Sequence, residues 1–288
     1  MIERRELIFV GGAAHSGTSA VARLLDAHPR LLALPVAVRF HSDDRGMPAL
    51  LVGQIPLEEF AGQFRERWWD GAGGLGEVSD PSLLERELGG FKDAYHRDPL
   101  AACRELFLSL TAPLSGEHGL VETSPGNLRQ AQALVRLFPE ARFVHVVRDG
   151  RDVAAAPDGT GLAAGIQSWA GKLREIDAAI RGEEDGAAHP VAPESLALVV
   201  LDQLVAGDRA RSYEDLLGLL ALDDDPAMRW VLDQELGPQQ VGRGRWRESA
   251  RGPAGWALRR RYRRALIELG REGNHAAQPL LDAYEALG

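Results

Sequence analysis

Gly12-Ala13-Ala14-His15-Ser16-Gly17-Thr18-Ser19 follows the apolar run Leu7–Val10 and opens a stretch of helical spacing, Thr18–Ala27. Strand, small-residue turn and helix in that order, with the two outer glycines five positions apart, is the pattern of a P-loop. Glycine and alanine let the backbone turn tightly so that successive N–H groups converge, and the new helix adds the positive end of its dipole. Such a turn holds an anion by its main chain, although a ligand-free strand-to-helix turn has the same spacing. Thr18 stands where nucleoside triphosphatases carry lysine, so the cation that reaches the β- and γ-phosphates is missing and a standard ATPase or GTPase is disfavoured.

Working outward, apolar runs at Arg142–Val147 and Leu196–Leu201, with a weaker one at Leu120-Val121, have the length of buried parallel strands. Helical spacing recurs at Leu128–Phe138, Gln167–Ile180, Tyr213–Leu220, Ala227–Glu235, Leu258–Leu269 and Pro279–Leu287. Strands alternating with helices predict an α/β fold of three layers, a parallel sheet covered on both faces and carrying the P-loop. Between Arg39 and Gly119 the strand signal fades, while Leu57–Trp69, Ser82–Leu88 and Leu100–Leu110 have helical spacing. We expect one domain over residues 1–288, with 39–119 a mostly helical insertion beside the anion site; core packing accounts for its Trp68-Trp69 pair. The acidic segment 182–190 reads as a solvated loop.

Hydrophobic residues make up 45% of the 288 and charged residues 26%, the proportions of a globular protein. A formal charge of −9 argues against a general nucleic-acid or anionic-membrane surface, so an anionic ligand must be held by local donors. Cys103 is the only cysteine, which excludes an intramolecular disulfide and a multi-thiolate metal site and fits a reducing compartment. Leu7–Val10 is too short for a membrane span, and the charges before it, Glu3, Arg4, Arg5 and Glu6, mix signs unlike a signal peptide. The expected location is the cytoplasm.

A second decisive segment is Leu137-Phe138-Pro139-Glu140-Ala141-Arg142-Phe143-Val144-His145-Val146-Val147-Arg148-Asp149-Gly150-Arg151-Asp152-Val153. It reads as a helix end, a buried strand and a charged turn, with Arg148 just past the strand's carboxyl end. In open parallel sheets ligands bind at that edge, where a guanidinium grips phosphate bidentately. A salt-bridged turn of Arg148, Asp149, Arg151 and Asp152 is the other reading.

Together these segments resemble the sulfotransferase superfamily, whose members hold the donor 3′-phosphoadenosine-5′-phosphosulfate (PAPS) on a Gly-x-x-[Arg/Lys]-Ser-Gly-Thr-[Ser/Thr] loop. Phe9-Val10-Gly11-Gly12 and Leu24-Leu25-Asp26-Ala27-His28-Pro29 are similar to the family on either side of that loop. The resemblance implies that Gly12, Ser16, Gly17, Thr18 and Ser19 bind the 5′-phosphate and that Arg148 reads the 3′-phosphate. It also places His15 where relatives carry a cation, and Ala156 where they often carry serine. Val241-Gly242-Arg243-Gly244-Arg245-Trp246-Arg247 looks like a late loop of bacterial relatives, in which Arg245 and Trp246 close over the nucleotide; a basic surface loop with Trp246 packed inward is the alternative.

Sulfuryl transfer requires an oriented acceptor, removal of its proton and stabilisation of the departing phosphate, and needs no metal. His15 serves the last need as imidazolium or as a single hydrogen-bond donor. Glu122, in a segment resembling the family's Glu-x-[Thr/Ser]-Pro-x-Asn pattern, is the first candidate base; holding its loop through an arginine is its bland role. His41 is the second candidate, because the stretch Leu34–His41 lacks the glutamate that many relatives carry there. The expected acceptor is a hydroxyl or amine of a small molecule, with the insertion forming its side of the pocket. A nucleotide-binding member without efficient transfer and a P-loop small-molecule kinase are the alternatives.

Overall fold

Alternation along the first strand sets the layers. Leu7 and Phe9 face one core cluster while Ile8 and Val10 face another, so the strand is buried on both sides and reads as a continuous apolar run. The computed structural model describes residues 6–156, 161–183 and 189–287. Its five strands are β1 (Leu7–Gly11), β2 (Leu31–Ala33), β3 (Gly119–Glu122), β4 (Arg142–Val147) and β5 (Leu196–Val200). They form one parallel sheet in the order β2-β3-β1-β4-β5. β1 is central, and its neighbours β3 and β4 carry the two other segments singled out in the sequence.

On one face, Ile8, Val10, Val144 and Val146 pack against helix Thr18–Asp26 and the helices Leu201–Ala206, Arg209–Leu220 and Pro226–Gln234. On the other, Phe9 and Phe143 meet Phe107 and Phe138, and Val147 meets Trp169 and Tyr262 of the helices Leu162–Arg181 and Pro253–Arg271. The result is the expected three-layer α/β architecture. Among the described residues no helix is long and apolar enough to cross a membrane.

Between β2 and β3 the chain forms the helices Met47–Leu51, Leu57–Phe64, Pro81–Arg97 and Pro99–Ser115, with a π-turn at Arg65–Trp69. Each of the two long helices starts at an Asp-Pro pair. Asp80 accepts from the Ser82 N–H at 2.8 Å and Asp98 from the Ala101 N–H at 3.1 Å, while the proline fills the first helical position. Trp68 and Trp69 are core residues, the former against Phe40, Phe60 and Phe64.

Several boundaries differ from the sequence expectation. The Ser82–Leu88 helix continues through Gly89-Gly90 to Arg97 because Phe91 anchors its second half in the core, where burial outweighs glycine's low propensity. Strand β2, three residues long, carries too little pattern to read. The last strand ends at Val200, since Leu201 begins a helix and packs beneath the P-loop. Residues 1–5 and 184–188, including Glu3, Arg4, Arg5 and the centre of the acidic loop, lie outside the described residues.

His145, in the middle of β4, is fully buried, with Nδ1 2.9 Å from His275 Nε2. His275 Nδ1 in turn lies 2.5 Å from Asp177 Oδ1. Burial, and then the neighbouring His275, push the His145 pKa well below its ordinary 6.5. The native state therefore refuses a proton that the unfolded chain accepts, so stability should fall as pH drops below about 6.5. Melting temperatures across this range should show that acid limb, and His145→Gln should flatten it; an unchanged limb would assign it to other groups.

Candidate functional site

The loop after β1 is shaped by two glycines. A side chain on Gly12 would meet the Val146 carbonyl at 2.3 Å, so only glycine lets the loop cross the end of β4. Gly17, with φ of +95°, turns the chain into helix Thr18–Asp26. His15 also has a left-handed φ of 62°, which turns its side chain out to solvent. Ser16 is buried, and its hydroxyl has no partner among the described residues. A buried donor left free on an N–H-lined turn fits a phosphate group.

Three hollows meet at this loop. One, of about 290 Å³, lies between His15, Thr18 and Ser19 on one side and Arg148, Ala156 and Arg245 on the other. A second, of about 330 Å³, is bounded by Gly12, His15, Ser124, Arg129, Lys172 and Ile176. The third, of about 590 Å³, runs past Gly17, Ser19 and Arg148 to Leu201, Leu236 and Val241. His15 stands between the first two. The sequence-singled residues Gly12, His15, Gly17, Thr18, Ser19, Arg148 and Arg245 are thus brought to one edge of the sheet.

Arg148 is nearly buried and ties three segments together. Its Nη1 donates to the His15 carbonyl at 3.2 Å, and its Nη2 donates to the carbonyls of Val241 and Gly242, each at 2.7 Å. Its Nε has no partner among the described residues. Asp152, one turn on, accepts from the Gly244 and Trp246 N–H groups at 2.7 and 3.1 Å, and so pins the late loop.

Trp246 does not close over the loop. It is buried, 2% exposed, and its ring lies 4.5 Å from the Arg151 guanidinium, which also stacks near Tyr262 and Tyr284. The inward reading of Trp246 holds, for a physical reason: Asp152 fixes its backbone and Arg151 receives its ring. Arg151 itself forms a forked pair with Asp149, at 3.0 Å through Nε and 2.6 Å through Nη2. Only Arg245 of the expected pair remains on the hollow.

Glu122 and His41 lie beneath the loop rather than on a hollow, both with fully buried side chains. The Glu122 carboxylate accepts from Val38 N–H, Ser124 N–H, Ser124 Oγ and Asn127 Nδ2 at 2.6–3.2 Å, and His41 Nε2 lies 3.1 Å away. Burial would raise its pKa, but the adjacent His41 imidazole and the bonds from Ser124 outweigh that and hold it at about 2. No arginine takes part; backbone and neutral donors hold this carboxylate. Such a group ties the chain after β3 to the chain after β2, and a carboxylate this acidic is a poor proton acceptor.

Sequence reasoning missed Arg129 and Lys172. Arg129 lies on the turn after Asn127, 3.5 Å from Glu175 and 3.7 Å from Asp44, and Lys172 bonds Glu175 at 2.6 Å. They place two permanent cations on the hollow that faces His15. Arg129 also borders a further hollow of about 430 Å³ between Pro48, Val52 and Gln54 of the insertion and Ala133 and Arg136. Counting cations close to the strand ends would have found Arg129; nothing local marks Lys172.

Residues 7–190 match the sulfotransferase family. The chain is 29% identical over 145 residues to the protein-tyrosine sulfotransferase of Drosophila melanogaster, covering 50% of this chain and 23% of that protein. It is 30% identical over 147 residues to protein-tyrosine sulfotransferase 2 of Gallus gallus, covering 50% of this chain and 32% of that one. The alignment thus spans less than a third of the curated relatives. Among solved structures, the sulfotransferase domain of the Synechococcus olefin synthase superposes with a TM-score of 0.52 at 18% identity, over 91% of this chain and 94% of that one. The sulfotransferase domain of the curacin biosynthetic pathway gives 0.53 at 14%, over 92% and 98%. These last two establish likeness of fold.

Glu122→Gln should destabilise the protein by about 2–4 kcal/mol in urea unfolding, because it removes a buried charge that several donors face. In the wild type this contribution is present above the unfolded-state value near 4.5 and is lost only as pH falls through about 2. A variant as stable as the wild type would remove Glu122 from the framework.

Proposed function

Because the chain belongs to the sulfotransferase family, we propose that it moves a sulfuryl group from PAPS to a hydroxyl or amine of a small acceptor. The observation that carries this reading is the meeting of three hollows at a loop whose buried donors, Ser16 Oγ and Arg148 Nε, have no partner among the described residues. The donor, when bound, supplies the activated sulfuryl group. In this reading the backbone of residues 12–19 and the Ser16 hydroxyl hold its 5′-phosphate, and Arg148 and Arg245 face its 3′-phosphate. The apolar sides of the largest hollow, Leu201, Leu236 and Val241, suit the adenine.

The acceptor belongs in the hollow between His15, Arg129 and Lys172, with the insertion supplying the adjoining hollow through Pro48, Val52 and Gln54. His15 donates a hydrogen bond to the departing phosphate, and Arg129 and Lys172 supply the fixed charge that the loop lacks. We assign Glu122 and His41 to holding the loop rather than to proton removal. A cytoplasmic setting rests on the single, buried Cys103. Ala156 and His15, where relatives carry serine and a cation, favour a second reading, nucleotide binding without efficient transfer. Turnover of donor in the presence of a metabolite mixture separates the two.

Calorimetry with adenosine 3′,5′-bisphosphate tests the site directly. Arg148→Ala should weaken this ligand by about 1.5–3 kcal/mol and adenosine 5′-phosphate much less. Equal weakening of both would make Arg148 structural. His15→Ala should lower the turnover of donor several-fold while leaving adenosine 3′,5′-bisphosphate binding nearly unchanged, because His15 faces the departing phosphate rather than holding the nucleotide. Undiminished turnover in His15→Ala would take His15 out of the chemistry.

A further inference from the structure

The 22 residues from Arg243 to Arg264 hold nine arginines and one carboxylate, Glu248, in a chain whose formal charge is −9. Helix Pro253–Arg271 buries Leu258, Tyr262, Leu266 and Leu269 against helix Leu162–Arg181 and the rest of that core. Its opposite stripe presents Trp256, Arg259, Arg260, Arg263 and Arg264 at spacings of three and four residues, which places them on one surface. Trp256 is 65% exposed, the most exposed large apolar side chain among the described residues.

Arg264 pairs with Glu268 at 2.8 Å. Arg259 lies over the Trp246 ring at 5.2 Å and Arg260 over Trp256 at 5.7 Å. Among the described residues, Arg259, Arg260 and Arg263 form no ion pair. Like charges four residues apart on a helix repel, so Arg259 with Arg263 and Arg260 with Arg264 disfavour the helix that carries them. Of the four arginines only Arg264 is neutralised among the described residues, although carboxylates outnumber basic residues in the chain as a whole, 42 to 33.

We infer that this face docks an acidic protein, with Trp256 as the apolar anchor and the guanidinium forks gripping carboxylates. Arginine and tryptophan together are the side chains that dominate binding at protein interfaces, and the fork of arginine matches a carboxylate in two bonds. A membrane-surface helix needs a free apolar face to sink among acyl chains; here that face is in the core, and Trp256 alone is left. An extended polyanion, whether bilayer or duplex, would also confront the acidic remainder of the surface. A protein with a local acidic patch meets only the arginine stripe, since fields are screened beyond about 8 Å at physiological salt.

The stripe adjoins the candidate site. The same segment begins with Arg245 on the hollow beside His15, and Arg261 Nη1 donates to the Ala163 carbonyl at the start of the helix that carries Lys172. Arg259 lies over the ring of Trp246, the residue after Arg245, so the stripe reaches the segment that borders this hollow. The inference does not depend on sulfuryl transfer taking place there.

The test uses the full chain and a synthetic helical peptide with glutamate at half its positions and leucine on one edge, followed by fluorescence anisotropy. The peptide should bind with an affinity that falls with salt. Arg259→Glu/Arg260→Glu/Arg263→Glu and, separately, Trp256→Ala should each weaken it about tenfold or more. Melting temperature and adenosine 3′,5′-bisphosphate binding should be unchanged in both variants, which keeps failure here distinct from failure of the transferase reading. Absence of binding, or indifference to either variant, overturns the proposal. So does tighter binding to phosphatidylserine vesicles or duplex DNA than to the peptide, or a wild-type self-association that the triple variant abolishes.

Discussion

Three segments far apart in the chain have to arrive at one point, and the guanidinium of Arg148 is where they are joined. It bonds the carbonyl of His15 in the P-loop and the carbonyls of Val241 and Gly242 in the late loop, from a root at the carboxyl end of β4. A carbonyl accepts a strong hydrogen bond from a cation's N–H where little water competes, and the side chain is nearly buried. Beside it the Asp152 carboxylate ties the same late loop independently, accepting from the Gly244 and Trp246 N–H groups. The hollow shared by His15, Ala156 and Arg245 lies between the segments that these two side chains join.

A parallel order with Glu122 serves the other side of β1. Its carboxylate gathers backbone and side-chain donors from Val38, Ser124 and Asn127, while Asn127 reaches back to the Val10 carbonyl at 3.1 Å. The edge of the sheet is thus braced by one buried anion on the β3 side and one nearly buried cation on the β4 side. The P-loop between them needs few bonds of its own, and this leaves Ser16 Oγ free. A site for an anion is made by committing the surrounding polar groups elsewhere.

What could be read from the sequence divides along the range of the interactions. The P-loop, β4 and Arg148 were legible because a glycine spacing, an apolar run and a strand end are local patterns. The placement of Trp246 was open in the sequence, because Arg151 and Asp152 decide it and they lie some 94 residues away. Glu122 looked like a base on position alone; its burial follows from Val38 and His41, 84 and 81 residues away. Lys172 was invisible for the same reason, since only the packing of its helix across the sheet brings it to His15.

The charge pattern adds a step that the fold alone does not supply. In an acidic protein, a site for a highly charged nucleotide of the kind proposed needs concentrated cations, and around the P-loop they come from the sheet edge, from helix Leu162–Arg181 and from the late loop. If those cations served only the nucleotide, the arginines would stop at the loop. They continue instead along the exposed face of helix Pro253–Arg271, none of whose residues lines the hollows at the loop, and repulsion between them weakens that helix. A surface that bears such repulsion with only Glu268 as a counter-charge among the described residues is better stabilised by a partner that brings more. In the proposed reading the arginine stripe acts at contact range on an acidic partner, separately from the cations that face the P-loop hollows.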